Sequence, residues 1–573
     1  RHALAGEDFE RAADLVEQAV PAMHRGRQEA MLLGWLKALP DALIAYRPVL
    51  SAWYAGTLLS TGELEGVEDR LRDAEQWLDT TADIHARPQR LEGNAGSRPA
   101  AATCPERDRR MVVVDEVAFR RLPGAIAEWR AGQALVLGDV AGTVTYARRA
   151  LDLFPEDDHV GRGGAAAILG LAAWTSGDLE VADRAYADAI ARLQRAGHLS
   201  DAIGCAIALA DLRIAQGRLH EAMRTYEWGL QLATAQQRRP KGSAQRAPVT
   251  PGPWPVLRGA ADMHVGMSEI RREQNDLHAA TQHLLRSKEL GEQSGLPQNP
   301  YRWRVAMARI RQVEGDLHGA LGLLHEAERV YTSDFFLNLR PVAAWKARRW
   351  VAQGRLGDAL GWAHAQRLSV ENNLSYLQEF EHITLARVLL ARYQSERADL
   401  SIFEALGLLE RLLQAAEAGG RTGSVIEILI VQALGRQMHG DIPAALVPLS
   451  RALTLAEPEG YVRRFIDEGP AMAALLEAAT KHGIALSYVY HLLAAFGTAE
   501  GRTPVQQPLS EPLSDRERDV LRLLGTDLDG PDVARELMVS LSTLRTHTRN
   551  IYSKLGVNSR RAAVRRAEEL QLL

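Results

Sequence analysis

Residues 166–190 read AAILGLAAWTSGDLEVADRAYADAI, and this segment has the pattern of a helical hairpin. Apolar side chains recur every three or four positions before the central glycine and again after it, which is the period of two amphipathic helices. Gly177 supplies the left-handed turn that ends the first helix. The predicted facing stripes are Ile168, Leu169, Ala172 and Ala173 in the first helix and Ala182, Ala185, Tyr186 and Ala189 in the second.

The hairpin pattern is repeated along most of the chain. A turn residue, a charged residue and an apolar residue precede a helical stretch at 62–64, 138–140, 177–179, 217–219, 275–277, 315–317, 354–356 and 440–442, and Gly6-Glu7-Asp8-Phe9 resembles an earlier copy. Several spacings are about forty residues, the length of two helices with their turns. Because one hairpin cannot bury its own apolar face, the units must stack into an α-solenoid with a concave inner surface.

Breaks in the pattern divide the chain of 573 residues, which is too long for a single core. We expect N-terminal helical-hairpin repeats over 1–85, a loop at 86–110 and a tetratricopeptide-like superhelical sensor domain over 111–497. Prolines and glycines predict an insertion at about 236–255 and a flexible linker at 498–512. The remaining segment, 513–573, is expected to form a separate small domain.

This C-terminal segment has the signals of four short helices. Its predicted caps are Ser514 with Glu517 in capping-box spacing, Asp529 with Pro531, Ser540 and Ser559. The second and third helices are joined at Met538-Val539, which is too short for anything but a tight turn. The predicted fold class is therefore all-α, a tetratricopeptide-like α-solenoid of helical hairpins followed by a small four-helix helix-turn-helix domain.

The third of these helices, predicted over 541–555, has two faces. Leu544, Ile551 and Leu555 form an apolar stripe toward the other helices. The second stripe suits the major groove of DNA, where arginine bonds guanine edges and threonine meets methyl or phosphate groups; its members are Ser542, Arg545, Thr546, Arg549 and Ser553. Residues 535–566 hold eight Arg or Lys against one acid in a chain of net charge −4, so positive charge is concentrated where nucleic acid would bind.

Composition argues against several other classes of protein. Two cysteines, Cys104 and Cys205, are too few for a disulfide framework and indicate a reducing cytoplasm. No run of about eighteen apolar residues occurs, so no membrane span is predicted, and the N-terminus lacks a secretion-signal pattern. Without a metal-ligand spacing, nucleophile elbow or P-loop, we expect no enzyme activity, no catalytic or metal-binding residues and no cofactor.

The C-terminal segment also resembles the LuxR-type (GerE-like) DNA-binding domains. The matching text includes LSDRE (513–517), VAREL (533–537), TLRTH (543–547), NIYSKLGV (550–557) and SRRAAV (559–564). The resemblance implies a transcription regulator whose third helix enters the major groove. It assigns base-facing positions to Arg545, Thr546 and Arg549, and backbone-facing positions to Lys554 and Arg560.

The repeats are similar to the sensor region of the MalT-like LuxR regulators. The similar text includes HALAGEDFERAADLVEQ (2–18), LLGWLKALPDALIAYRPVLSAWYA (32–55) and PEGYVRRFIDEGPAMAALLEAA (458–479). In that family a P-loop ATPase precedes a superhelical repeat domain that binds an inducer, often a sugar. Because the sequence contains no P-loop motif, the N-terminal ATPase part is expected to be absent from this chain. A third possibility is that the gene continues upstream into an ATPase, which makes this chain a fragment of a nucleotide switch.

The two regions together predict a LuxR-family DNA-binding transcription regulator that acts in the cytoplasm. Its expected partners are double-stranded DNA, RNA polymerase and a small-molecule inducer or protein on the solenoid, with a homo-oligomer as the active form and no membrane association. The alternative is a helical-repeat scaffold for other proteins, whose terminal domain does not read DNA. Gel shifts with genomic fragments would separate these two functions, because only the regulator would bind some fragments selectively.

Overall fold

A computed structural model of the protein describes residues 2–25, 28–85, 111–235, 258–291, 294–331, 337–396, 399–500, 514–526, 528–555, 560, 563–564 and 567. Within these residues the chain forms 28 α-helices, short 3₁₀ helices at Tyr376–Gln378 and Glu457–Glu459, and no strand. The predicted all-α class is confirmed. The chain divides into two compact units, Arg1–Phe496 and Gly497–Leu573.

The helices of the first unit follow one another with short connections. Those before the predicted sensor domain are α1 (His2–Ala5), α2 (Phe9–Arg25), α3 (Glu29–Lys37), α4 (Asp41–Ile44), α5 (Pro48–Thr61) and α6 (Val67–His85). The next are α7 (Glu116–Val136), α8 (Val140–Leu153), α9 (His159–Ser176), α10 (Leu179–Arg195), α11 (Leu199–Ala215), α12 (Leu219–Ala235), α13 (Ala260–Glu273), α14 (Leu277–Leu290), α15 (Asn299–Val313) and α16 (Leu317–Val330).

The last helices of this unit are α17 (Val342–Ala352), α18 (Leu356–Ala365), α19 (Glu379–Glu396), α20 (Asp399–Ala418), α21 (Thr422–Met438), α22 (Ile442–Ala456), α23 (Arg463–Ile466), α24 (Pro470–Lys481) and α25 (Leu486–Glu500). From α7 to α22 each odd-numbered helix packs against the even-numbered helix that follows it. The hairpins stack in chain order, as α8 on α9 and α10 on α11. The predicted solenoid of helical hairpins is confirmed.

The repeated turn phrase has a physical explanation in two backbone requirements. Gly177 has a φ of 84° and is the C-cap of α9, where a left-handed residue lets the chain leave the helix. The next residue, Asp178, accepts a hydrogen bond from the backbone N–H of Val181 and caps α10. The same Asp cap recurs at Asp139, Asp276, Asp316 and Asp441. The phrase therefore ends one helix and starts the next.

Two details of the repeats differ from the sequence prediction. In α9, Ile168 and Leu169 are only half-buried, whereas Ala166, Gly170 and Ala173 are buried. The smallest side chains occupy the crossing with α10 because Tyr186 already fills the space there: its ring lies 3.1 Å from where a Cβ on Gly170 would be. In the earliest copy of the phrase the left-handed residue is Glu7, with a φ of 56°, and not Gly6.

Hairpins that are distant in sequence also touch, so the solenoid closes on itself. The indole N–H of Trp174 donates to the Tyr376 hydroxyl at 3.1 Å. Near the other end, the Val462 backbone N–H donates to the Glu273 carbonyl oxygen at 3.0 Å, and the His220 N–H donates to a Glu459 carboxylate oxygen at 2.9 Å. The middle of the repeat array therefore packs against its C-terminal hairpins around an enclosed interior.

Three segments that the sequence predicts as breaks in the repeats lie wholly or mostly outside the described residues. The loop predicted at 86–110 and the insertion predicted at about 236–255 lie outside the described residues. The linker predicted at 498–512 overlaps the end of α25, which continues to Glu500, and residues 501–512 are not described. The finer domain boundaries within 1–497 therefore stay predictions.

Candidate nucleic-acid interface

The second unit begins its described part with the predicted capping box. In α26 (Asp515–Leu524) the Ser514 hydroxyl accepts the Glu517 N–H at 3.3 Å, and the Glu517 carboxylate accepts the Ser514 N–H at 2.9 Å. Lys554 adds an ion pair to the same carboxylate at 2.9 Å. Burial alone would raise the pKa of Glu517, but the bonds from Lys554 and Ser514 outweigh it and hold the pKa below its usual range.

The next two helices form the predicted helix-turn-helix. In α27 (Gly530–Glu536), Asp529 accepts the Asp532 N–H at 2.9 Å and a proline lies in the first turn. The joint turns at Met538, which has a φ of 52° and is 93% exposed. Ser540 then accepts the Thr543 N–H at 3.1 Å at the start of α28 (Leu541–Leu555). The predicted starts of all three helices are thus confirmed.

The third helix is held by one face and leaves the other open. Leu544 and Ile551 are buried in the core of the unit, together with Val520, Leu521 and Val533. The second stripe is exposed within this unit: Ser542, Arg545, Thr546 and Arg549 all lie on the solvent side. The side chains of Ser553, the fifth member of the stripe, and of Leu555 are not among those that the structure describes.

The polar side chains of the exposed stripe differ in the partners that they have among the described residues. The Thr546 hydroxyl donates to the Ser542 carbonyl oxygen at 3.1 Å, and the Ser542 hydroxyl lies 2.7 Å from that of Ser540. Arg545 and Arg549 form no ion pair with a described residue. Two exposed guanidinium groups one helical turn apart can each offer paired donors to a guanine edge or a phosphate.

The structure gives Lys554 and Arg560 partners within the unit. Lys554 pairs with Glu517 of the capping box. Arg560 donates to backbone carbonyl oxygens of Leu524 at 2.9 Å, Leu528 at 2.6 Å and Thr526 at 2.7 Å, so it satisfies the carbonyl end of α26. Sequence reasoning missed these roles, because no local pattern joins residues more than thirty positions apart. Their predicted contacts with the DNA backbone stay predictions.

Of the predicted fourth helix, the structure describes Arg560, Ala563, Val564 and Ala567, which are helical, and the two alanines are buried in the same core. The other predicted basic residues of this helix, Arg561, Arg565 and Arg566, lie outside the described residues. In the described parts of the chain, no helix is both long and apolar enough to cross a membrane. No cluster of metal-binding side chains is found in the same parts.

A solenoid of helical hairpins combined with a helix-turn-helix unit defines a class, the repeat-containing transcription regulators. Comparison with protein families makes the assignment specific. Residues 124–482 match the "MalT-like TPR region", and residues 511–567 match "Bacterial regulatory proteins, luxR family". The protein belongs to the MalT-like helical-repeat family and carries a LuxR-family DNA-binding domain. Neither of these domains is catalytic.

Solved structures with helical repeats are similar at low sequence identity. The apo form of the quorum sensor NprR from B. thuringiensis is 14% identical with a TM-score of 0.36, covering 79% of this chain and 99% of that one. Yeast Tom70 is 13% identical with a TM-score of 0.28, covering 90% of this chain and 100% of its own. Scores this low say nothing about ligands or partners.

Proposed function

We propose that α28 enters the major groove of a specific DNA site and that the solenoid controls this binding in response to a ligand. Ser542, Arg545, Thr546 and Arg549 contact base edges, while Lys554 and Arg560 lie at the DNA backbone. The ligand is a small-molecule inducer or a protein. Because chromosomal DNA is the target, the protein acts in the cytoplasm.

The observation that carries this proposal is the exposed stripe of α28. Its two arginines have no ion-pair partner among the described residues, although carboxylates engage many arginines elsewhere in the chain. Exposed guanidinium groups on the second helix of a helix-turn-helix are placed as base-reading groups are in that motif.

In the proposed mechanism, the bound ligand favours a homo-oligomer that presents several DNA-binding domains to neighbouring half-sites. One small domain buries little surface on DNA and binds weakly, so joining two or more raises the effective concentration of each. RNA polymerase is the expected partner of the assembled regulator. Light scattering with and without a two-site duplex measures this assembly directly.

The base-reading assignment is tested by selecting sites from a randomised duplex library with the full chain. Arg545→Ala and Arg549→Ala should each lose about 1–3 kcal/mol of binding and relax preference at one base pair. Arg522→Ala is the matched control, since this exposed arginine lies on α26, away from the stripe. If Arg545→Ala selects the same site with unchanged affinity, α28 does not read bases as proposed.

A separate comparison decides between the two roles of Arg560. If it contacts a phosphate, Arg560→Ala should weaken all sequences alike and reduce the slope of log affinity against log salt by about 1. If its role is to hold the end of α26, the thermal midpoint of the unit should fall and the salt slope should stay. For Lys554→Ala the same two measurements distinguish a phosphate contact from the ion pair with Glu517.

A further inference from the structure

The closed part of the solenoid contains a cavity of about 530 Å³ that is lined by arginines together with apolar side chains. Eight arginines line it, contributed by α13, α15, α17, α19, α23 and the segment just before α17. A neighbouring cavity of about 160 Å³ shares Arg309, Arg340 and Trp345 with it. The volume is that of a site for a small molecule, and not for a folded partner or a duplex.

The carboxylates around the cavity do not balance these arginines. Three of them line it: Glu427 accepts from Arg348 at 2.6 Å, Asp467 and Glu468 accept from other arginines, and no side chain of the three is more than 24% exposed. Glu269 and Glu273 line smaller pockets beside this cavity and pair with Arg309 and Arg272. Eight guanidinium groups and five carboxylates leave an excess of three positive charges.

Individual arginines also have unused donors. Arg340 and Arg349 form no ion pair with a described residue. Three guanidinium nitrogens are buried and have no hydrogen-bond partner among the described residues: the Nη1 of Arg349, the Nη2 of Arg348 and the Nε of Arg272. Arg272 as a whole is only 4% exposed. Buried donors without acceptors are costly, so the protein alone does not fully satisfy this arginine cluster.

Burial within the arginine cluster lowers the pKa of two of these groups. Burial, with Arg272 nearby, lowers the pKa of Arg309 to about 9. Burial, with Arg387 nearby, lowers the pKa of Arg348 to about 9 against the opposing effect of Glu427. The charge of Arg309 and Arg348 is therefore disfavoured, and an anion beside them would stabilise it. Carboxylates outweigh burial at Arg387 and Arg464, whose pKa values are raised.

Aromatic rings orient the arginines. The guanidinium of Arg348 lies 3.8 Å from the centre of the Phe380 ring, and that of Arg309 lies 4.9 Å from the centre of a Trp345 ring. Stacking on a ring fixes the plane of a guanidinium and leaves its N–H groups pointing outward from its edges. These arginines are thus held in position before a ligand arrives.

We propose that this cavity binds a small organic or inorganic polyanion that carries two or three negative charges on carboxylate or phosphate groups. The inference builds on the proposed sensor role of the solenoid and names the chemical class of its inducer. Planar carboxylates and phosphate oxygens match the paired donors of arginine, and the charge matches the local excess. A neutral ligand would leave that excess in place.

The test measures thermal unfolding of the full chain with citrate, with inorganic pyrophosphate and with sucrose, at one ionic strength set by sodium chloride. Either anion should raise the midpoint by about 2 °C or more, and sucrose at the same concentration should not. A response to citrate alone identifies a carboxylate ligand, and a response to pyrophosphate alone identifies a phosphate ligand. If neither anion raises the midpoint, the proposal is wrong.

Two variants locate the binding. Arg340→Gln and Arg349→Gln should each weaken the anion at least about tenfold, equal to 1.4 kcal/mol, and should leave the ligand-free midpoint unchanged or higher because repulsion falls. Arg149→Gln removes an exposed arginine of α8 outside the cavity and should bind like the wild type. If all three variants lose anion affinity equally, the anion binds elsewhere and the proposal is overturned. The same holds if the DNA-binding variant Arg545→Ala is the one that loses anion affinity and the cavity variants do not.

DNA selection on the same variants keeps the two proposals separate. Arg340→Gln should select the same DNA site as the wild-type protein, since the cavity lies in the first unit. A protein that binds the anion but selects no DNA site would refute the proposed DNA reading and leave the cavity assignment intact. A protein that selects a DNA site but does not bind the anion would refute only the cavity assignment.

Discussion

Two histidines face each other between α13 and α14. Their Nδ1 atoms are 3.0 Å apart, and burial together with His283 and Arg286 lowers the pKa of His264 to about 4. His264 is therefore neutral in the folded protein at pH values where an unfolded histidine would already be protonated. A proton added in that range binds the unfolded chain in preference to the folded one.

The contribution of His264 to the stability of the first unit should consequently fall as the pH drops from about 6.5 toward 4. The full loss is at most about 3 kcal/mol, since each pKa unit of difference corresponds to about 1.4 kcal/mol. Denaturant unfolding at each pH should show that the wild-type protein loses unfolding free energy relative to His264→Gln across this range. His318→Gln, which changes an exposed histidine, should keep the wild-type slope; a slope identical in all three proteins would contradict the prediction.

For single residues, the sequence predicts which side chains are exposed better than it predicts which residues they bond within the domain. The period of α28 correctly separates Leu544 and Ile551 from Arg545 and Arg549, because a helix of known phase determines which side chains share a face. The bonds of Lys554 to Glu517 and of Arg560 to the end of α26 depend on how three helices pack. A one-dimensional pattern contains no information on that packing.

Among the helical elements, the turns are where sequence and structure agree most closely. The phrase at 177–179 predicts both a left-handed turn and a helix start, since only a few residue types satisfy each local requirement. The stripe of α9 is predicted less well. A rule that places large apolar residues inward chooses Ile168 and Leu169, but the close helix crossing accepts only alanine and glycine.

Two glycine turns of the same conformation offer a matched comparison. Gly138 has a φ of 77° and open space where a Cβ would lie, whereas a Cβ on Gly217 would lie 3.1 Å from the Thr422 Cβ and 3.2 Å from the Gly423 nitrogen. Gly138→Ala should cost about 1–2 kcal/mol from the left-handed backbone alone. Gly217→Ala should cost roughly 1–3 kcal/mol more, because the turn presses on α21.

Chemical denaturation of the two variants measures that difference. It reports specifically on the contact between hairpins that are distant in sequence, because the backbone strain is common to both glycines. Equal losses of stability would mean that the turn at Gly217 does not pack against α21 in solution.

On the scale of the whole repeat unit, a buried carboxylate joins elements that are far apart in the chain. Glu427 on α21 accepts from Arg348 of α17 at 2.6 Å and from Arg464 of α23 at 2.5 Å, and it is 5% exposed. Burial alone would raise the pKa of Glu427, but Arg348, Arg464 and Arg387 outweigh it and hold the pKa well below its usual range.

Removing this charge should destabilise the unit strongly. Glu427→Gln leaves its arginines uncompensated and should cost about 3–5 kcal/mol of unfolding free energy. Glu417→Gln, which breaks a half-exposed pair with Arg451, should cost at most about 1 kcal/mol. Denaturation in urea, which is uncharged, avoids screening the ion pairs during the measurement. Similar losses in both variants would contradict the buried role of Glu427.

The arginine-lined cavity is beyond sequence prediction, although the hairpins that build it are not. Its arginines are spread between Arg272 and Arg464, and each occupies an ordinary position on its own helix. They come together only because the array closes on itself. Local periodicity predicts a stack of hairpins but not the path that the stack follows.

That closure has a consequence for how the protein melts. In an open array each repeat touches only its neighbours, so the structure can unzip from either end one repeat at a time. Here the backbone bond from Val462 to Glu273 and the contact of Trp174 with Tyr376 tie the middle to the far end. The helices from α9 to α23 should therefore unfold as one cooperative block. The described hydrogen bonds and ion pairs of α1–α6 with the rest of the unit reach only as far as α7, as from Val114 to Glu17 and from Arg130 to Glu75, so these helices can unfold separately.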